Sequence, residues 1–145
     1  MHDLHDLCQG HLPQIAPWFD DPVTRRWLGG RDWAENTLLL AKADTNRHGL
    51  IASIEGNPVA LLDVEVYADS SASFAIVVDP RLRQRGIATR ALKAMLEFTR
   101  FATVSRFFAG VEHGNESSTR FLARLGFTPT AKPSEQGFID YELVR

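Results

Sequence analysis

The chain has 145 residues, 44% hydrophobic and 23% charged, which suits one domain spanning residues 1–145 better than two. Its 16 Lys and Arg against 18 Asp and Glu leave a formal charge of -2, which argues against a general nucleic-acid binder, and a single cysteine, Cys8, rules out an internal disulfide or a thiolate metal cluster. No apolar run reaches 18 residues and the opening "MHDLHDLCQG" lacks the basic flank and apolar core of a signal peptide, so we expect a soluble, cytoplasmic protein with no membrane span.

After a short polar start, "QGHLPQIAPWF" spaces Leu12, Ile15, Ala16 and Phe19 as one face of a short helix, broken at Asp20-Asp21-Pro22. "DPVTRRWLGG" predicts a second short helix ending at Gly29-Gly30, and "RDWAENTLLLAKAD" a third, started by an Asp32 cap. The two β-rich runs of "HGLIASIEGNPVALLDVEVYAD" flank Glu55-Gly56-Asn57-Pro58 and predict a hairpin; "SASFAIVVDP" adds a third strand that Pro80 stops. From Ile87 the apolar period changes to that of a helix running to about Phe101, with Ala88, Ala91, Leu92, Met95, Leu96 and Thr99 on one stripe. "RFFAGVEH" predicts a strand, "ESSTRFLARLGF" a helix with Gly126 at a left-handed C-terminal position and Phe127 packing beyond it, and "GFIDYELVR" a final strand. Helices, then three meandering strands, then helix, strand, helix and strand make an α+β domain around a mixed sheet.

The stretch "VVDPRLRQRGIATRAL" places Arg81, Arg83 and Arg85 in a linker that delivers the first-turn amides of the Ile87 helix into one small space. Those amides lack intrahelical partners and, with the helix dipole behind them, form an anion site; Gly86 lets a bulky phosphate come close, Ala88 is small, and the arginines add adjustable charge. The alternative is a Gly easing a loop beneath a solvated basic surface. Neither the P-loop nor the dinucleotide-fold spacing is present.

These residues resemble the acyl-CoA signature of the GNAT superfamily of N-acetyltransferases, Arg/Gln-x-x-Gly-x-Gly/Ala, at Arg83, Gly86 and Ala88. A second block, "NESSTRFLARLGF", is similar to that superfamily's later Asn-containing helix, in the form found in enzymes that acetylate protein N-termini and related amines, at Asn115, Ser118, Arg120, Leu122, Gly126 and Phe127. The two together cover roughly residues 49–145. The resemblance implies a mixed, mostly antiparallel central sheet flanked by helices, with its central strands splayed and acetyl-CoA as co-substrate in the gap. Ile76, Val77 and Val78 would pair with the pantetheine arm. The backbone amides of Gln84, Arg85, Gly86, Ile87, Ala88 and Thr89 would hold the pyrophosphate, and Asn115 would bond a pantetheine amide, a role compatible with capping its helix.

Attack of an amine on a thioester requires an ammonium to lose a proton, an oxyanion to be stabilised and a thiolate to leave. A backbone amide near Val78 suits the oxyanion. Many relatives carry a tyrosine acid where this chain has Leu122, and the nearest branch uses the serine matching Ser118, whose alternative role is to satisfy its own helix backbone. The position of the branch's glutamate base is Gly110. Glu112, two residues on along the same strand face, is one replacement, and Glu65 or Asp63 on an earlier strand are others, an acid pair that otherwise reads as a solvated face. His113 is a further titratable neighbour. The five scattered histidines have no ligand spacing and no metal is expected; Trp18, Trp27 and Trp33 either pack the core or wall an acceptor pocket.

The expected activity is acetyl transfer from acetyl-CoA to a primary amine: a peptide N-terminus, a polyamine, an aminoglycoside or a similar small amine. The expected partners are those two substrates and a homodimer mate, with neither nucleic acid nor membrane. The alternative is an acyl-CoA-binding module that has lost catalysis, as Leu122 and Gly110 suggest.

Overall fold

The run Val59-Ala60-Leu61-Leu62 is buried at every position, which requires a strand covered on both faces. The computed structural model describes residues 3–83, 85–112, 115–130 and 137–145 and places that run in β3, inside a seven-stranded sheet. The strands are β1 (Asp3–Asp6), β2 (Arg47–Ile54), β3 (Asn57–Val66), β4 (Ser71–Val78), β5 (Arg106–Glu112), β6 (Thr128–Pro129) and β7 (Phe138–Val144). Their order across the sheet is β1-β2-β3-β4-β5-β7-β6. Every neighbouring pair is antiparallel except β4–β5, which is parallel.

Alternation along each strand divides the core. One face buries Leu50, Ala60, Leu62, Val64, Phe74 and Phe107 against α4 (Ile87–Glu97) and α5 (Glu116–Arg124), through Leu92, Met95 and Leu122. The other buries Ile51, Leu61 and Val77 against the N-terminal segment, through Ile15 of α1 (Leu12–Ile15), Phe19 of the 3-10 turn that follows it, and Ala34 and Leu38 of α3 (Asp32–Ala43), with Leu28 of α2 (Pro22–Leu28) partly buried against them. The mostly antiparallel mixed sheet between helices is the α+β architecture expected.

Local departures have identifiable causes. Residues 3–6, read as a polar start, form a strand paired with β2, Leu4 opposite Ala52 and Asp6 opposite Leu50. Two aspartates in four residues carry little strand propensity, and it is the open edge of β2 that recruits them. The β2–β3 turn is tighter than the four-residue cluster suggested: Glu55 (φ 51°) and Gly56 (φ 81°) alone make it, both in the left-handed region that such a two-residue hairpin demands. Asp32 does not cap α3. It is the first helical residue, following Arg31, which makes no side-chain cap, and its charge still complements the helix dipole. Helix α4 stops at Glu97 rather than Phe101, because Phe98 turns extended (ψ 126°) and redirects the chain into a 3-10 turn over Thr99–Phe101. That turn drives Phe101 into the core, where it meets the rings of Phe98, Phe107 and His48 edge-on at 5.6, 6.4 and 5.3 Å. After α5, Gly126 takes a left-handed φ of 93° and returns Phe127 to bond the Leu122 carbonyl, as its spacing predicts.

Phe101 joins the α4 exit to the sheet, so Phe101→Ala should cost about 3–5 kcal/mol, the usual range for emptying a buried aromatic site. Urea unfolding should show a lower midpoint with an unchanged slope.

Candidate active site

Strands β4 and β5 pair over three positions only: Ser71 with Arg106, Ala72 with Phe107 and Ser73 with Phe108. Beyond them the strands part, β4 staying with β3 and β5 with β7. The facing edges of both strands are thereby left without a ladder partner, and a cavity of about 290 Å³ opens between them. Its walls are Phe74–Val78 of β4, Ala109–Val111 of β5, Asn115, Ser118 and Leu122 of α5, and Thr24 and Trp27 of α2.

Of the residues expected to hold a cofactor, Ile76, Val77, Val78 and Asn115 line this cleft. The loop leaving Val78 ends at Gly86, which adopts φ 75° as the N-terminal residue of α4; a Cβ there would meet nothing within 4 Å, so the approach to the helix end is open. Ile87 is buried, Ala88 and Thr89 are half-buried in the first turn, and Arg85 is exposed. Gln84 lies outside the described residues. The Asn115 carboxamide oxygen accepts from the Ser118 amide and from the Ser117 hydroxyl, both at 3.3 Å, and so caps α5.

The Ser118 side chain makes no hydrogen bond among the described residues; it is Thr119 whose hydroxyl donates back to a helix carbonyl, that of Glu116, at 2.9 Å. Glu112 closes β5 in register with Phe138, and its side chain, like His113, lies outside the described residues. Glu65 and Asp63 share a sheet face but stand outside the cleft wall, gripped by one cation: Arg47 donates to Glu65 at 3.0 Å and to Asp63 at 3.1 and 3.3 Å. Burial pushes the Asp63 carboxyl up, against the pull of Arg47. Tyr67 also donates to Glu65, at 3.2 Å. Trp18 is core and Trp33 stacks on Phe19, whereas Trp27 reaches the cleft. No group of three His, Cys, Asp or Glu among the described residues could hold a metal ion, and no helix among them is long and apolar enough to cross a membrane.

The linker arginines are less adjustable than their sequence suggests. Arg81 forks onto Asp79, with Nη2 at 2.8 Å. Arg83 crosses from the linker to α2, donating to the N-capping Asp21 at 2.6 Å and to the Thr24 hydroxyl at 3.1 Å. This bond ties the roof of the cleft, Thr24 and Trp27, to the loop entering α4. Sequence spacing carries no signal for a contact across 62 positions.

The acetyltransferase (GNAT) family profile matches residues 6–127. The chain belongs to that family. The uncharacterized N-acetyltransferase YfmK of Bacillus subtilis (strain 168) is 26% identical over 134 residues, covering 88% of this chain and 86% of YfmK. In fold, an acetyltransferase from Thermus thermophilus superposes with a TM-score of 0.85 at 19% identity, over 100% of this chain and 97% of its own. The aminoglycoside acetyltransferase AAC(6')-Ib in complex with coenzyme A gives 0.84 at 16%, over 100% and 95%.

The Arg83 bond, the largest influence on Asp21, holds that carboxyl down from 3.8 to about 2. A depressed folded-state value means the tether stabilises above pH 3.8 and is lost as pH falls through about 2. The stability difference between the parent and Asp21→Asn, below about 1 kcal/mol for so solvent-screened a pair, should therefore be present at neutral pH and vanish between about pH 4 and 2 in acid unfolding monitored by fluorescence.

Proposed function

We propose that this GNAT-family protein is an N-acetyltransferase that moves an acetyl group from acetyl-CoA to a primary amine by direct attack in a ternary complex. The observation that carries the reading is the β4–β5 split, whose unpaired strand edges offer the hydrogen bonds an extended amide-bearing ligand needs. At the end of the β4 loop, the first-turn amides of α4 have no intrahelical partners, and Gly86 leaves the space over them open to a diphosphate. The bound coenzyme A in the similar aminoglycoside acetyltransferase supports the same cofactor here.

On this reading Ile76, Val77 and Val78 receive the pantetheine arm, an amide near Val78 faces the developing oxyanion, and residues 84–89 take the diphosphate. Asn115 is already committed to its cap, which fixes the first turn of α5 and with it the Ser118 hydroxyl at the cleft wall. A hydroxyl there, without a partner among the described residues, suits protonation of the leaving thiolate. The acceptor enters from the side of α2, past Trp27. Aminoglycosides, polyamines and peptide N-termini all carry the amine this chemistry uses.

The buried Leu122, where related enzymes carry a tyrosine acid, favours a second reading: a binding module without turnover. Calorimetric titration with acetyl-CoA separates the outcomes when combined with thiol release over a panel of amines. Saturable binding with turnover supports the enzyme, binding without turnover the module, and no heat at millimolar acetyl-CoA rejects both. If the enzyme turns over, Ser118→Ala should lower kcat about 100-fold while leaving the affinity for acetyl-CoA within about twofold. Gly86→Val should cut that affinity at least about tenfold, by placing a branched side chain where the diphosphate approaches. It should also cost about 1–2 kcal/mol of stability, because a Cβ strains the left-handed backbone.

A further inference from the structure

The described acids on the sheet face that carries Arg106, Phe108 and Gly110 are nearly all spoken for. Asp63 and Glu65 are held by Arg47, and Glu142 by Arg106. Asp140 differs. It sits on β7 directly opposite Gly110 of β5, and its carboxylate makes no hydrogen bond or ion pair among the described residues. Gly110 is a cleft residue with no side chain to fill its own position. The space its Cβ would enter is bordered by Asp140 Oδ1 at 3.5 Å and by the Phe138 ring at 3.9 Å. The carboxylate thus stands next to the bare Gly110 position, beside rather than among the residues that line the cleft, and is delivered there by the neighbouring strand.

We infer that Asp140 is the catalytic carboxylate that binds the acceptor's ammonium and takes its proton. The inference rests on the acetyltransferase reading. The Asp140 carboxylate accepts one proton from the ammonium, directly or through a single water. The nitrogen lone pair so released attacks the thioester carbonyl carbon, forming the C–N bond. The tetrahedral adduct collapses with cleavage of the C–S bond, the Ser118 hydroxyl gives its proton to the departing thiolate and takes the second nitrogen proton in its place, and amide and free thiol result. Asp140 then returns its proton to the solvent to which it is exposed. The missing side chain at Gly110 is what makes room: a larger residue there would occupy the volume between Asp140 and the cleft.

The side chain can be changed without disturbing the strand, since it is the Asp140 backbone carbonyl that accepts from the Thr130 amide at 2.9 Å and its hydroxyl at 3.1 Å. The test measures acetyl transfer to kanamycin, spermidine and a peptide with a free N-terminal alanine, from about pH 6 to 9, in the parent, in Asp140→Asn, and in Asp140→Asn combined with Gly110→Glu. The first variant should lose about 100-fold in kcat/KM for the acceptor with unchanged affinity for acetyl-CoA. The double variant should recover at least about a tenth of parental activity, because a glutamate on β5 would project into the same space at ordinary contact distance. Parental activity in Asp140→Asn across that pH range overturns the role and leaves the acetyltransferase reading standing. A loss that Gly110→Glu fails to reverse also overturns it, assigning Asp140 to local structure. A parent that transfers acetyl to none of the three acceptors overturns both.

Discussion

The architecture turns on the point where β4 and β5 stop pairing. A parallel pair that continued past Ser73 and Phe108 would satisfy both strand edges and close the sheet. Instead each strand keeps its outer neighbour, β3 for one and β7 for the other, so the sheet survives while its middle opens. Backbone donors and acceptors along the parted edges need partners, and an extended ligand or water must supply them. The gap is floored by α5 through Leu122 and roofed by α2 through Trp27. A slot with polar edges and apolar floor and roof is what a flexible amide-containing chain requires.

Around this opening, arginines set positions more than they add stability. Arg83 joins the α2 cap to the linker, Arg81 holds Asp79, Arg106 holds Glu142, and Arg47 spans Asp63 and Glu65. Arg83, Arg106 and Arg47 each fix one element against another, Arg81 holds its own loop, and each neutralises a carboxylate that would otherwise attract a cation. Arg47 does so at a cost, because its Nε is buried without a partner among the described residues. Asp140 lies outside this set of pairs, opposite Gly110.

Much of the arrangement was legible in the residues. The apolar run through β3, the change of period at Ile87, Gly126 followed by Phe127, and the glycine-containing turn before α4 are local signals of burial, helix and left-handed backbone, and they fall where the structure has them. The first strand was not legible, because Asp3–Asp6 has no propensity of its own and exists only as an addition to the β2 edge. The end of α4 was not either, since the stripe continues past the place where core packing pulls Phe101 away from the helix axis.

By itself the sequence determined what depends on neighbours in the chain: strand and helix periods, the Asn115 cap, the left-handed Gly126, and the two motifs that identify the family. Only the tertiary structure decided what depends on positions far apart in the chain meeting in space: that Arg83 is taken by Asp21, that Asp63 and Glu65 share Arg47, and that the residue opposite Gly110 is Asp140. Local spacing constrains dihedral angles and faces, but strand register and long-range ion pairs arise when the whole core closes, and no short stretch of chain encodes them.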